Sequence, residues 1–366
     1  MSLSGETLRV RREVDRAATG DRSRRALAVV WLLLALLVAA ALFALTVGAS
    51  AASTRQAVMV WLGLLDREAA NARDLLIVEQ IRLPRVILGI LVGASLAVSG
   101  AVMQGLFRNP LADPGLVGVS AGAGLGAVSV IVLGGTVLAP LFAVAGMYTL
   151  PLAAFAGALA TTLILYRIAT RQGKTSIATM LLAGIALGAF AGAGTGILVY
   201  LADDLQLRDL TFWGLGSVAG ATWTKVLSAG PMIVVALATT PFLARGLNAL
   251  AMGEAAAHHM GVPVQALKNI AIVAVAAATG AAVAVTGGIG FVGIVVPHLL
   301  RLAIGPDHRH LLPASALLGA LFLILADCLS RTIVAPAELP IGIVTAVFGA
   351  PFFLWILLRR RGLVDL

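Results

Sequence analysis

The chain has 366 residues, of which 60% are hydrophobic and 12% are charged, about half the charged share of a soluble domain. A soluble fold of this size leaves roughly a quarter of its surface in water, so the composition excludes a soluble enzyme, a disordered chain and a disulfide scaffold. The net charge of +9 comes without a basic stripe interleaved with aromatic residues, and no nucleic-acid partner is expected.

Ten apolar runs follow a basic tail over residues 1–25, and most are near the roughly 20 residues that a helix needs to cross a bilayer. The first run is longer than the about 7–15 residues of a signal-peptide core, which favours a retained span. The eighth is short for a crossing, and only a glycine-rich turn separates it from the seventh. The predicted spans are 26–47, 84–106, 116–138, 140–165, 177–201, 226–243, 267–285, 289–304, 311–330 and 339–358.

The fold class predicted from these runs is an all-α polytopic membrane protein, with a single transmembrane domain over 26–366. The runs do not alternate polar and apolar residues, so a membrane barrel is not expected. With the N-terminus inside, 18 of the 26 Lys and Arg residues fall in inside segments and 8 in outside segments. This split follows the positive-inside rule and predicts that both termini are cytoplasmic.

Glycines spaced by four mark one face of several predicted spans, where small residues let helices approach closely. The longest series could line a passage for a bulky solute, and close helix packing is the alternative. A phosphate-binding loop is not expected, because no strand precedes these glycines and no Gly-Lys-Ser/Thr follows them. The series are Gly89 and Gly93; Gly118, Gly122 and Gly126; and Gly184, Gly188, Gly192 and Gly196.

No arrangement of side chains predicts catalysis, a metal site or a bound cofactor. His308 and His310 lack the i, i+4 spacing of helical metal ligands, and His298 is interpreted as a packed residue. Asp327 and Arg331 are four residues apart, which predicts a local ion pair. The middle of each span holds no acidic residue, which disfavours a proton-driven carrier and places the energy source outside the chain.

Two loops stand out as candidate docking surfaces. The outside stretch 55–85 contains an amphipathic pattern through Trp61 and Leu65, which predicts an interfacial helix. Arg82 and Arg85 at its end either snorkel to lipid headgroups or offer donors to carboxylates of a docking protein. The inside loop 245–263 is rich in alanine and carries Glu254, which suits a short helix that a cytoplasmic partner contacts.

Three long motifs in a fixed order resemble the FecCD family of ABC-importer permeases, which carry ferric siderophores, haem and vitamin B12. The first runs from Arg82-Leu-Pro-Arg85 to residue 104 and resumes over 109–120. The second covers 287–301, and the third covers 337–351. The similarity extends along nearly the whole chain beyond the tail.

The resemblance implies the type II ABC importer permease fold, working as a homodimer of ten-helix subunits in the bacterial inner membrane. It implies two cytoplasmic ATPase subunits that hold ATP and Mg²⁺, a periplasmic binding protein, and no bound cofactor in this chain. The residues that it maps are a cytoplasmic gate at Asn109, Leu111, Thr175 and Ser176; a path along Gly184, Gly188, Gly192 and Gly196; ATPase coupling at Gly253, Glu254, Ala255 and Gly261; and binding-protein docking at Arg82, Arg85 and Arg331.

The segment 209–220 resembles the haem-importing members of the family, so the implied substrate is haem. Ferric siderophore and cobalamin are the alternatives within the same mechanism, and a secondary carrier is the alternative class. The expected mechanism is alternating access with ATP hydrolysis in the partner subunits.

Overall fold

The computed structural model describes residues 23–48, 52–115, 118–171, 174–335 and 337–359. Nearly all of the predicted basic tail therefore lies outside the described residues. The described residues form fifteen α-helices: α1 (Ser23–Thr46), α2 (Thr54–Trp61), α3 (Ala72–Leu76), α4 (Leu83–Leu106), α5 (Val119–Leu133), α6 (Ala139–Ala145), α7 (Thr149–Ala169), α8 (Ile177–Leu201), α9 (Asp204–Gly214), α10 (Trp223–Ala251), α11 (Glu254–His259), α12 (Val264–Thr286), α13 (Val292–Ile304), α14 (His308–Thr332) and α15 (Ile341–Arg359).

Three short elements connect these helices. A π-helical turn over Ile77–Arg82 joins α3 to α4, and a 3₁₀ turn over Gly146–Tyr148 joins α6 to α7. Strands β1 (Thr170–Arg171) and β2 (Lys174–Thr175) pair antiparallel between α7 and α8. The hairpin returns the chain directly from the end of one long helix to the start of the next.

Every predicted span coincides with a helical segment, which confirms an all-α membrane fold. Seven segments of the described chain are long and apolar enough to cross a membrane, and three shorter apolar helices complete the set. The shorter ones are α5, α13 and the first part of α15, at the third, eighth and tenth predicted spans. The chain is a multi-pass membrane protein.

Several predicted boundaries were wrong, and backbone conformation explains two of them. Helix α5 has only 15 residues because Gly118 precedes it in the left-handed conformation, with φ of 82°. Helix α13 has 13 residues because Gly287 and Phe291 both have positive φ, of 70° and 68°. Conversely, α10 continues to Ala251, since Leu247 and Leu250 are buried, so the loop predicted over 245–263 begins at Met252, seven residues later.

Helix α4 is the central element, and nearly all of its residues are buried. It packs against α10, α12, α13 and α14. Two glycine contacts let these helices approach: Gly93 lies on the backbone of Gly319 in α14, and Gly100 lies on Gly293 in α13. A side chain at either α4 position would overlap a neighbouring backbone, so the predicted packing role of Gly93 is confirmed.

The glycine face of α5 also serves close packing. Gly122 on α5 and Gly157 on α7 lie against each other's carbonyl oxygens, and Gly126 lies on the carbonyl of Ala153. Helix α8 then packs on both α5 and α7. These three helices form a layer beside the α4 core.

The predicted interfacial helix is present but shorter than the pattern suggested. Helix α2 ends at Trp61, because Gly63 turns the chain with φ of 69°. Ala57 is fully buried in a small cluster with Leu75 and Val78. Leu64 lies beyond the end of this helix and is 68% exposed.

Candidate functional site

The predicted path glycines on α8 divide into two groups. Gly184 is buried, and its carbonyl oxygen is 3.0 Å from the position that a Cβ on Gly118 would take. A Cβ added at Gly188, Gly192 or Gly196 would meet no atom within 4 Å. Gly188 is half-buried, and its backbone N is 3.4 Å from the same Cβ position on Gly118, so packing within the chain involves Gly184 and Gly188. Gly192 and Gly196 are exposed.

Large apolar side chains flank this open face. On α8, Leu182, Ile185 and Phe190 are 70%, 67% and 75% exposed. Exposed apolar residues also cover α1 and α10, as expected of helices that face lipid. Helix α8 differs because a smooth glycine stripe interrupts its apolar surface, which leaves room for a second surface or a solute to lie close to the backbone.

Two of the predicted gate residues form one tight turn after α4. The Asn109 side chain is buried, and its Oδ1 accepts a hydrogen bond from the Leu111 backbone N–H at 3.0 Å. The Asn109 N–H donates to the carbonyl oxygen of Gln104 at 3.1 Å. Gln104 in turn donates to the Gly293 carbonyl at 2.9 Å and accepts from Arg301. The turn is thus tied to α13 through a polar contact that the sequence interpretation missed.

The other two gate residues lie between α7 and α8. Thr175 pairs with Thr170 in the β-hairpin. Ser176 is exposed and caps α8, since its Oγ accepts from the Thr179 N–H at 3.3 Å, while its own N–H donates to Ala169 at 2.9 Å. Any displacement of this hairpin would therefore move the start of α8, although its gating role stays a prediction.

The predicted coupling residues form a compact protrusion, α11, between two glycines with positive φ. Gly253 and Gly261 have φ of 110° and 79°, which bulkier residues adopt only with strain. The Glu254 carboxylate lies 2.7 Å from Nζ of Lys268, whose side chain is 3% exposed. This ion pair fixes α11 against α12.

The outer side of α11 is available for contact. Ala257 is fully buried beneath the helix. Ala255 is exposed on the other side, together with four larger residues: Met252, His258, His259 and Met260. The coupling surface therefore combines two exposed thioethers and two imidazoles around one small residue, a composition that suits an adaptable protein contact.

The three predicted docking arginines are buried within the chain, and their docking role stays a prediction. Arg82, Arg85 and Arg331 are only 3%, 6% and 5% exposed. With buried Asp327 and exposed Glu338 they form a group called here the arginine cluster. Side chains that are buried and bonded within the chain do not offer donors to another protein in this structure.

The contacts inside the arginine cluster join four parts of the chain. Arg85 donates two hydrogen bonds to Asp327, at 3.0 and 2.8 Å, and pairs with Glu338 at 3.0 Å. Arg331 pairs with Asp327 at 2.8 Å, which confirms the predicted i, i+4 ion pair. Arg331 and Arg82 also donate to carbonyl groups at the end of α1. The cluster thus holds α1, α4, α14 and the segment before α15 together.

The segment 209–220 lines a cavity of about 580 Å³ near the start of α10. Trp213 and Phe212 supply aromatic surface, and the charged lining residues are Asp209, Lys225 and Glu338. The Trp213 indole donates to the Ala284 carbonyl at 3.3 Å, which fixes the ring against the end of α12. The cavity combines a flat aromatic wall with one lysine and two carboxylates.

A comparison with protein families decides the identity of the fold. The model of the FecCD transport family matches residues 33–359. The chain belongs to the FecCD transport family. The hemin transport system permease protein HmuU of Yersinia pestis is 49% identical over 281 residues, covering 77% of this chain and 83% of that protein.

Two further relatives and one solved structure agree with this assignment. The cobalamin import permease BtuC of Halobacterium salinarum is 47% identical, covering 78% of this chain and 74% of that protein. The vitamin B12 import permease BtuC of Citrobacter koseri is 46% identical, covering 80% and 85%. A solved inward-facing metal-chelate type ABC transporter chain has a TM-score of 0.75 and 30% identity, covering 91% of this FecCD chain and 99% of that one.

Proposed function

We propose that this chain is the permease subunit of an ATP-driven importer in the bacterial inner membrane, with both termini in the cytoplasm. Two copies form the transport path, two separate ATPase subunits bind ATP and Mg²⁺, and a periplasmic binding protein delivers haem. The named relatives are all transport permeases, which supports a non-enzymatic role for this chain.

The observation that carries this proposal is the open glycine face of α8. A Cβ at Gly188, Gly192 or Gly196 would meet no described atom within 4 Å, and a glycine face is most useful where another surface approaches closely. A second copy across a two-fold axis supplies such a surface. A solute that moves along this axis would meet smooth backbone and few groups that retain it.

The proposed mechanism couples α11 to this path. ATP binding and hydrolysis in the partner subunits shift α11, whose Glu254 transmits the movement to Lys268 and hence to α12. The turn at Asn109 and Leu111 and the hairpin at Thr175 and Ser176 are the proposed cytoplasmic gate. The binding protein docks on the opposite face, where the arginine cluster positions the surface helices without contacting the partner itself.

Haem is the proposed substrate, with HmuU as the supporting relative. The cavity at 209–220 also fits this choice, since Trp213 offers a face for a flat macrocycle and Lys225 a cation for carboxylates. Cobalamin is the second candidate, because the two BtuC relatives are nearly as similar. Ferric siderophore remains the third.

Uptake by the complete complex in proteoliposomes tests the substrate assignment. Haem, cobalamin and a ferric siderophore would each be added together with the cognate binding protein. ATP would be supplied either inside or outside the vesicles. We expect ATP-dependent uptake of haem and little of the other two. Preferential uptake of cobalamin would replace haem by the second candidate while leaving the importer mechanism intact.

A further inference from the structure

A second large cavity lies between α10 and α14, far along both helices from the arginine cluster. Its volume is about 600 Å³, within the roughly 300–1,000 Å³ of pockets that hold small molecules. Apolar side chains form its deep part, among them Val98, Leu237 and Leu312. Two arginines, Arg245 and Arg309, lie on its lining at the other end.

The position of these residues along α10 places the cavity in one leaflet of the bilayer. Helix α10 begins at Trp223, and a rise of 1.5 Å per residue puts Leu237 about 21 Å and Arg245 about 33 Å from that end. The hydrocarbon core is about 30 Å thick. The apolar part therefore lies within one leaflet, and Arg245 lies at headgroup level on the side of α11, which the proposed orientation makes cytoplasmic.

The cavity opens toward lipid. Phe242 on its lining is 86% exposed. At the headgroup end the two helices are tied together, since Asn248 donates to Asp307 at 2.6 Å and accepts from the His308 N–H at 2.9 Å. The cleft between the helices is thus closed at its end and accessible from the side.

The two arginines differ in their partners. Arg309 pairs with Asp307 at 2.6 Å, and this hydrogen bond from Arg309 holds the pKa of Asp307 well below its usual range. Asp307 is therefore ionised at neutral pH and neutralises Arg309. Among the described residues, no carboxylate lies within ion-pair distance of Arg245, which is exposed. Arg245 therefore places a positive charge, without a carboxylate partner among the described residues, at the headgroup end of an apolar cleft.

We propose that this cavity binds an anionic phospholipid of the cytoplasmic leaflet. Its phosphate accepts hydrogen bonds from the Arg245 guanidinium, and an acyl chain lies against Leu237 and Leu312. Basic residues between membrane helices on the cytoplasmic side favour anionic headgroups, and the apolar floor distinguishes a lipid from a free phosphate. The bound lipid joins α10 to α14 beside the coupling surface.

Native mass spectrometry of the full-length chain tests the proposal, with phosphatidylglycerol and phosphatidylcholine as probes. We expect the chain to retain one phosphatidylglycerol per subunit at concentrations where phosphatidylcholine is lost. Arg245→Ala should weaken this binding about fivefold, which corresponds to about 1 kcal/mol per arginine near an anionic lipid. Arg167→Ala is the matched control, because Arg167 is an exposed arginine in the last turn of α7 that does not line the cavity.

Two further variants separate this site from lipid held loosely around the protein. Ala316→Leu narrows the cavity with both arginines intact and should also release the lipid. Asp307→Asn removes the carboxylate partner of Arg309 while keeping a side chain that can cap α14, so it should strengthen binding. Size-exclusion profiles and thermal unfolding check that each variant is folded.

Several outcomes would overturn the proposal. Equal loss in Arg245→Ala and Arg167→Ala would mean that any arginine at this depth attracts lipid. Full retention in Ala316→Leu would exclude the cavity as the acyl-chain site. Displacement of the lipid by millimolar glycerol 1-phosphate would indicate an anion site without acyl recognition, and equal retention of both lipids would exclude charge as the cause.

Discussion

Removing the central carboxylate of the arginine cluster should destabilise the protein strongly. Asp327 accepts from Arg85 and Arg331, and the three side chains are 5%, 7% and 3% exposed. In Asp327→Asn both guanidinium groups stay buried, and only Glu338 still carries negative charge against them. Breaking a buried pair from one side costs about 3–5 kcal/mol, so the free energy of unfolding should fall by that amount.

The assay is equilibrium unfolding of the purified chain in mixed detergent and SDS micelles. Arg67→Gln is the control. The Arg67 side chain pairs with Glu79 but is 65% exposed, and exposed pairs contribute about 0–1 kcal/mol to the free energy of unfolding. The double variant Asp327→Asn/Arg331→Gln removes one positive charge as well and should recover part of the loss. A loss in Asp327→Asn no larger than in Arg67→Gln would refute the argument that burial makes this cluster important.

Three other substitutions test the helix contacts and the coupling surface. Gly93→Val places a side chain on the backbone of Gly319 and should lower stability by at least about 1–3 kcal/mol; unchanged thermal unfolding would contradict the packing. Gly192→Val should leave thermal unfolding of the isolated chain unchanged and slow uptake by the complete complex, and normal uptake would remove this face from the path. Glu254→Gln leaves Lys268 buried without its carboxylate and should reduce substrate-stimulated ATP hydrolysis in the complex severalfold, whereas full stimulation would exclude this pair from coupling.

The positions of the long apolar helices could be predicted from hydropathy, because lipid-facing helices are long apolar runs. The ends of the helices could not always be predicted, since a few left-handed residues decide them. Phe291 has φ of 68° and delays α13, and nothing in its apolar side chain indicates this. Leu247 and Leu250 extend α10 because they are buried, which depends on the position of α12.

The contacts of the arginine cluster could not be predicted from the sequence. The partners of Arg85 are Asp327 and Glu338, which lie 242 and 253 residues further along the chain. A sequence shows that an arginine lies near the start of a span, but it does not show which distant carboxylates pair with that arginine. For the glycine series on α8, the spacing predicts a smooth face, and the structure shows that a Cβ at Gly188, Gly192 or Gly196 would meet no described atom within 4 Å. The transport path along them stays a prediction.

The central claim is that this chain transports only as part of an ATP-driven complex. Uptake into proteoliposomes would be compared for the chain alone under a proton or sodium gradient and for the complete complex with binding protein and ATP. The account predicts no uptake by the chain alone and uptake by the complex that stops when the ATPase subunits cannot hydrolyse ATP. Gradient-driven uptake by the chain alone would contradict it and indicate a secondary carrier.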